Sequence, residues 1–327
     1  FPTRRSSDLI MMKRIRSIVI WLIILLISVL VSLWWDLGSL NDAFNQTILL
    51  KVRLPRVLEA MLTGATLTIA GHMFQTILNN PLADSFTLGL ASGASLGSGL
   101  ALFLGLSFLW VPFFSIAFSL ITLVLVLGLT VILSRGYPIR VLIILGLMIG
   151  ALFNALLYML VLINPRKMNS IANYLFGGFA SAEYHDVIII ALTMIVAMVI
   201  LFSMKNGIKL LQVGELKSQS LGLNVQNVMF IVLAVSSMIT AVVVAYVGII
   251  GFIGMIVPQL LRRFYWQYEL GTQMVLNLIV GSTVMVVADF IGGTMIQPVQ
   301  IPASIIMALL GVPVLFYILF TQTKVLR

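Results

Sequence analysis

Three acidic side chains and one histidine lie inside or beside long apolar stretches of the sequence, namely Glu59, His72, Asp84 and Asp289. A carboxylate in the middle of such a stretch is typical of proton or sodium coupling in a membrane. None of the three acids falls at the middle of its stretch, which counts against an ion-coupled carrier. We interpret Asp84 as part of a turn and Asp289 as a buried carboxylate that accepts hydrogen bonds or caps a helix.

Two arginines, Arg53 and Arg56, precede Glu59 within the same region of the chain. Oppositely charged side chains three or four residues apart meet on a helix surface. We therefore expect Glu59 to pair with Arg56 or Arg53 at a membrane interface.

His72 stands in the middle of an apolar run and is followed by Gln75, Asn79 and Asn80. These four residues are the candidates for a translocation pathway, in which His72 would touch a substrate. A lone polar residue of this kind more often forms a hydrogen bond with a neighbouring helix. Pro81 ends the run, since proline cannot continue the helical hydrogen-bond ladder.

Several kinds of chemistry are missing from the sequence. There is no cysteine, which excludes thiol catalysis and disulfides, and two histidines are too few for a histidine-rich metal centre. We find no GxxxxGK[ST] phosphate-binding loop, no catalytic Ser-His-Asp set and no paired carboxylates. The chain is therefore not expected to be an enzyme or to bind a metal or cofactor, and any ATP would be hydrolysed by a separate subunit.

The composition indicates a membrane protein. Of 327 residues, 61% are hydrophobic and 9% are charged, and the mean hydropathy is +1.15. Soluble domains carry about a quarter charged residues, and a bilayer needs about 20 apolar residues per helix. We predict an all-α polytopic membrane protein with about ten transmembrane helices. The predicted spans are 17–35, 57–78, 86–107, 113–133, 141–163, 186–204, 227–246, 249–264, 273–292 and 303–321. The eighth is short and glycine-rich, so it is expected to be broken or to cross only partly.

The basic residues give an orientation. With the N-terminus inside, 14 of the 19 lysines and arginines fall in inner segments and 5 in outer segments, so both termini are predicted to be cytoplasmic. Residues 1–10 read as a non-native or disordered leader, and residues 11–327 as one transmembrane domain. Two loops are long, an outer one at 164–185 that is expected to hold a short surface helix and an inner one at 205–226 where a cytoplasmic partner would dock.

Glycines recur at the spacing used for close helix packing. Gly89, Gly93 and Gly97 form one row, and Gly146 and Gly150 form another. Small residues let helix backbones approach each other in lipid. We assign these glycines to helix packing rather than to chemistry.

Several motifs in order resemble those of the FecCD/BtuC-like permeases of ABC importers, from about residue 50 to about residue 320. The strongest match is residues 71–97, GHMFQTILNNPLADSFTLGLASGASLG. The other matching segments are RLPR at 53–56, the GE…LG element at 214–222, GIIGFIGMIVPQLLR at 248–262, Ala288-Asp289, and the prolines from Pro298 to Pro313.

The resemblance implies a fold and a mechanism. Such permeases have ten helices, work as dimers, sit on two ATPase subunits and receive substrate from an extracytoplasmic binding protein. By this pattern Arg53 and Arg56 would meet carboxylates of the binding protein. The element holding Gly214, Glu215, Leu221 and Gly222 would couple to the ATPase.

Three positions depart from the family pattern. Gln259 replaces the histidine of a Pro-His pair, Gly293 replaces an arginine, and Gln300 replaces a glutamate. The missing arginine removes one expected docking charge, and Arg166 or Lys167 would have to compensate.

The resemblance implies import of an iron complex across the cell membrane of a bacterium or archaeon, with a ferric siderophore as the expected cargo. Haem and cobalamin are the alternatives within the same architecture. An ATP-independent secondary transporter is the alternative from a different class. The basic net charge of +9 marks membrane orientation, and no nucleic-acid partner is expected.

Overall fold

The computed structural model describes residues 4–39, 41–107, 109–133, 139–167, 171–172, 175–296 and 298–325. The described residues are almost entirely helical. The α-helices, in chain order, are α1 (Arg4–Trp34), α2 (Ala43–Ile48), α3 (Leu54–Ile77), α4 (Leu90–Phe103), α5 (Trp110–Leu133), α6 (Ile139–Ile163), α7 (Tyr184–Ser203), α8 (Lys205–Leu211), α9 (Glu215–Ser220), α10 (Val225–Val247), α11 (Ile253–Phe264), α12 (Leu270–Thr294) and α13 (Ala303–Val325). A π-helical turn, Leu49–Arg53, joins α2 to α3, and Pro165–Lys167 form a 3₁₀ turn.

Each predicted apolar run coincides with a helix, which confirms an all-α polytopic membrane fold. By length and composition, seven helical segments of the described chain are able to cross a membrane. They are α1, α2 with α3, α5, α6, α7, α10 and α12, whereas α4 and the segment Ala303–Ile318 of α13 are shorter apolar stretches. Helix α11 has 12 residues and contains Pro258. Its short length agrees with the expected break in the eighth span.

The two long loops differ in how much of them the structure describes. The inner segment 205–226 folds into α8 and α9 and ends at the start of α10. Of the outer segment, the 3₁₀ turn is described, but residues 168–170 and 173–174 lie outside the described residues. Helix α1 begins at Arg4 and so includes part of the predicted leader, whose origin stays a prediction.

Helix α3 is the centre of the bundle and packs against α12, α10, α11 and α7. Glycines permit the two closest crossings. A Cβ atom on Gly64 would overlap the backbone of Gly281 in α12, and one on Gly71 would overlap the backbone of Gly254 in α11. Because the backbones touch at these points, most of α3 is buried, including its polar residues.

A second group of helices is built around α4. A Cβ atom on Gly93 would overlap Thr122 and one on Gly97 would overlap Phe114, both in α5. A Cβ atom on Gly89 would lie 2.6 Å from the carbonyl oxygen of Gly146 in α6. The predicted packing glycines therefore lie at helix contacts.

Candidate transport sites at the two ends of α3

The first residues of α3 line a cavity of about 230 Å³, here called the Asp289 cavity. Arg56 donates two hydrogen bonds to Asp289 of α12, from Nε to Oδ2 at 2.7 Å and from Nη2 to Oδ1 at 2.9 Å. Its Nη1 also donates to Oε1 of Gln300 at 3.1 Å. The side chain of Asp289 is 6% exposed, so the pair is largely shielded from water. The interpretation of Asp289 as a buried hydrogen-bonding carboxylate is confirmed.

Arg53 lines the same cavity but has different partners. Its Nη1 donates to the carbonyl oxygens of Leu33 at 3.0 Å and Trp35 at 2.5 Å, at the end of α1. The last carbonyls of a helix lack intrahelical partners and carry partial negative charge. Arg53 therefore caps α1, and the carboxylate of Asp36, which lines the same cavity, lies close enough to interact with its charge.

The predicted pairing of Glu59 with Arg53 or Arg56 is wrong. Arg56 is taken by Asp289, and Arg53 is taken by the end of α1. Glu59 is 2% exposed and forms no ion pair with any residue that the structure describes. The sequence spacing favoured Glu59 as the partner of Arg56, but in the fold Arg56 pairs with Asp289 of the distant helix α12.

Two of the departures from the family pattern lie beside Arg56. Gln300 is its third hydrogen-bond acceptor. A Cβ atom on Gly293 would lie 3.4 Å from Nη2 of Arg56. The small residue leaves room for the Arg56–Asp289 pair, and the neutral Gln300 adds no second negative charge.

The other end of α3 lines a second cavity, of about 380 Å³, here called the Arg262 cavity. Of the four candidate pathway residues, Gln75 and Asn79 line it, together with Gly214 from the predicted coupling element. An α-helix rises 1.5 Å per residue, so Val57 at the first cavity and Gln75 at the second are about 27 Å apart along α3.

His72 and Asn80 lie outside the lining of this cavity. His72 is 1% exposed, and neither ring nitrogen has a hydrogen-bond partner within the described structure. The expectation that His72 bonds to a neighbouring helix is therefore wrong. Asn80 instead stabilises the turn after α3, where its Oδ1 accepts a hydrogen bond from the backbone of Leu82 at 3.0 Å.

The third departure, Gln259, connects α11 to the turn after α3. Its Nε2 donates to the carbonyl oxygen of Pro81. In the opposite direction, Nε2 of Gln75 donates to the carbonyl oxygen of Met255 at 2.9 Å. The two amides thus hold α11 and the end of α3 together beside the Gly71–Gly254 crossing.

Asp84 organises the turn between α3 and α4. Its Oδ1 accepts hydrogen bonds from the backbone of Phe86 at 3.0 Å and of Thr87 at 3.1 Å. Asp84 itself is buried, with 6% of its surface exposed. Burial raises the pKa of Asp84 to about 6, although the two amide hydrogen bonds act in the opposite direction.

The predicted coupling element forms α9 and its two flanking turns. Gly214 precedes α9 with φ of 105°, and Gly222 follows it with φ of 81°. Other residues rarely adopt such angles, so the two glycines define where α9 begins and ends. Glu215 is the first residue of α9, and its side chain lies outside the described part of the structure. Ser218 ties α9 to α8 by donating to the carbonyl oxygen of Leu210 at 2.6 Å.

Three apolar side chains on and beside α9 are exposed. Val213 is 53% exposed, Leu216 is 83% exposed and Leu221 is 64% exposed. Sequence reasoning selected Leu221 and missed Val213 and Leu216, although apolar residues in a polar segment were the available signal. Clustered apolar side chains at a polar surface mark an interaction site.

Among the described residues, histidine and acidic side chains form no group of three or more that could hold a metal ion.

The comparisons with known proteins agree with this architecture. Residues 12–321 match the FecCD transport family. The chain is 30% identical over 295 residues to the molybdate import system permease MolB of Haemophilus influenzae, covering 89% of this chain and 86% of the relative. It is 32% identical over 288 residues to an iron chelatin transport system permease of Helicobacter pylori, covering 87% of this chain and 84% of the relative.

A solved structure shares the fold. It is a metal-chelate type ABC transporter in an inward-facing conformation, with a TM-score of 0.86 and 28% identity, and the match covers 94% of this chain and 99% of that one. The family match spans nearly the whole chain, so the chain belongs to the FecCD transport family as a multi-pass permease of an ABC importer.

Proposed function

We propose that this permease carries an iron complex, a ferric siderophore, across the cytoplasmic membrane of a bacterium or archaeon. The iron chelatin permease among its relatives supports an iron complex as cargo. Both chain termini would face the cytoplasm, in agreement with the distribution of basic residues. Family membership leaves the ATP-independent secondary transporter without support.

The structural observation that carries the proposed importer assembly is the difference between the two ends of α3. Arg53, a cation that forms no ion pair among the described residues, lies at one end. Exposed apolar side chains of Val213, Leu216 and Leu221 lie near the other. A charged patch suits electrostatic docking of a binding protein, which acts mainly on association rate and specificity. An apolar patch suits a more permanent partner subunit.

The proposed assembly contains two copies of a permease, two ATPase subunits and an extracytoplasmic binding protein. The ATPases would supply the energy and contact α9 and its flanking turns. ATP binding would close the ATPase pair and move α9, and α8 would transmit the movement to the Arg262 cavity. The second permease is either another copy of this chain or a homologue.

Haem and cobalamin remain alternative cargoes, and the molybdate permease among the relatives adds a small oxyanion to the candidates. The experiment is a binding screen of the partner binding protein against ferric siderophores, haem, cobalamin and molybdate. The best ligand is then tested for ATP-driven uptake by the reconstituted complex. Uptake of a ferric siderophore supports the proposal, whereas exclusive uptake of another cargo, or uptake without ATPase subunits, contradicts it.

A further inference from the structure

The Arg262 cavity contains a cation, Arg262, that has no anionic partner among the described residues. Arg262 of α11 is half-buried, and its Nη2 donates to Oγ1 of Thr76 at 3.3 Å. No described carboxylate lies within ion-pair distance of it. A shielded charge without a counter-ion is costly, and such residues are paired in most membrane proteins. A negative partner from outside the described chain would remove this cost.

The other polar groups of the cavity do not replace a counter-ion. The Nε2 atoms of Gln75 and Gln273 already donate to backbone carbonyls, at 2.9 Å to Met255 and at 3.0 Å to Tyr268. Arg262 is the one lysine or arginine of the described lining, so its guanidinium, whose planar fork matches the oxygens of a phosphate group, is the group that would hold an anionic ligand.

Aromatic side chains indicate the depth of the cavity in the bilayer. Trp266 lines the cavity and is 75% exposed, and Phe264 beside it is 66% exposed. Tyr265 and Tyr268 stack with ring centres 5.3 Å apart in the same segment. Tryptophan and tyrosine concentrate at the level of the lipid headgroups. The cavity therefore opens where phosphate groups of phospholipids are abundant.

We propose that the Arg262 cavity binds the phosphate group of a phospholipid headgroup, with the Arg262 guanidinium as its principal contact. The lipid would lie between the end of α3 and the turn before α9, since Gln75, Asn79 and Gly214 line the same cavity. The proposal concerns a resident lipid and not the transported substrate, although the candidate pathway residues Gln75 and Asn79 line the same cavity.

The test measures thermal unfolding of the purified full-length permease in detergent while a ligand is added. The ligands are short-chain phosphatidylglycerol, a short-chain diacylglycerol without phosphate, and inorganic phosphate against chloride at equal ionic strength. A ligand that binds the folded state raises the unfolding temperature in a concentration-dependent way. Phosphatidylglycerol should raise it, and diacylglycerol should not.

The variants assign the effect to Arg262. Arg262→Gln should need about tenfold or more phosphatidylglycerol for the same shift, because charge-assisted hydrogen bonds are lost. Arg262→Lys should be intermediate, since lysine keeps the charge without the fork. Arg263→Gln is the matched control, because Arg263 lies over the ring of Tyr317, outside the cavity lining. It should titrate like wild type.

Each result has a defined meaning. Equal titrations of wild type and Arg262→Gln overturn the site, and so does an equal response to diacylglycerol. If Arg262→Gln does not fold, an unchanged titration in Arg262→Lys overturns the guanidinium contact. A shift with inorganic phosphate alone overturns the headgroup as the source. Loss of ATPase association without any change in lipid binding would show that the partner of Arg262 is a protein carboxylate and overturn the proposal.

Discussion

Arg56 and Asp289 are separated by 233 positions in the sequence, yet their side chains form a two-pronged ion pair with hydrogen bonds of 2.7 and 2.9 Å. The pair joins the start of α3 to the end of α12. Each oxygen of the Asp289 carboxylate accepts one of these two bonds. The remaining nitrogen of the guanidinium, Nη1, donates to Gln300. Arg56 is therefore first a structural residue, and its availability to a docking protein is lower than that of Arg53.

The Arg56–Asp289 pair predicts a coupled stability effect. Arg56→Gln leaves the buried carboxylate unpaired, so it should lower the stability of the permease by about 3 kcal/mol. The double variant Arg56→Gln with Asp289→Asn should recover much of the loss, because no unpaired charge remains. Thermal unfolding of the single and double variants measures this coupling. Additive losses would show that the two side chains do not act as a pair.

Arg53 predicts a functional effect with a different signature. Arg53→Glu should strongly reduce uptake driven by the binding protein, and the defect should be largest at low salt because salt screens exposed charges. The measurement is binding-protein-stimulated ATP hydrolysis by the reconstituted complex. Arg140→Glu reverses an exposed charge near the Arg262 cavity and is the control. Equal activity of wild type and Arg53→Glu would reject the docking role.

The sequence predicted the helices well and the side-chain partners poorly. Long apolar runs locate helices because a lipid-exposed backbone must form its own hydrogen bonds. Pair spacing also identified Gly93 and Gly97 at the α4–α5 contact. The Arg56–Asp289 pair and the Gln259–Pro81 bond each join segments far apart in the chain, so no local pattern contains them. The expected partners of Glu59 and His72 came from the general behaviour of their residue types. In the described structure Glu59 forms no ion pair and the ring of His72 forms no hydrogen bond.

The turns around α9 predict a defect in coupling. Gly222 has φ of 81° and no atom within 4 Å of an added Cβ, so Gly222→Ala costs backbone strain of about 1–2 kcal/mol without a steric clash. We expect α9 to shift and substrate-stimulated ATP hydrolysis to fall, while the unfolding temperature falls by only a few degrees. Gly128→Ala, which also meets no atom within 4 Å but lies inside α5, is the matched control. Full coupling in Gly222→Ala would contradict the role of this turn.

The Gly71–Gly254 crossing predicts a much larger structural effect. A Cβ atom on Gly71 would overlap the backbone of Gly254, and backbone cannot rotate away as a side chain can. Gly71→Ala should therefore separate α3 from α11 and lower the yield and unfolding temperature of the folded permease. In Gly207→Ala the new methyl group would meet only side-chain atoms at 3.5 Å or more, so this control should behave like wild type. Size-exclusion profiles and thermal unfolding distinguish the two variants.

Asp84 predicts a specific pH dependence. Its folded pKa of about 6 lies above the ordinary aspartate value of about 3.9, so the folded state holds this proton to higher pH than the unfolded state does. Its contribution to the free energy of unfolding is therefore greatest below about pH 4 and declines as the pH rises through about 6. The total decline is about 3 kcal/mol, given 1.36 kcal/mol for each pH unit between the two pKa values.

Asp84→Asn isolates this contribution. The amide oxygen of asparagine still accepts the hydrogen bonds from Phe86 and Thr87, but the side chain no longer titrates. The variant should match wild type near pH 4 and become more stable than wild type above about pH 6. Asp42→Asn is the matched control, because exposed Asp42 accepts a similar hydrogen bond from the backbone of Phe44 at 3.0 Å. A stability difference between Asp84→Asn and wild type that stays constant across this pH range would mean that burial does not hold the proton on Asp84.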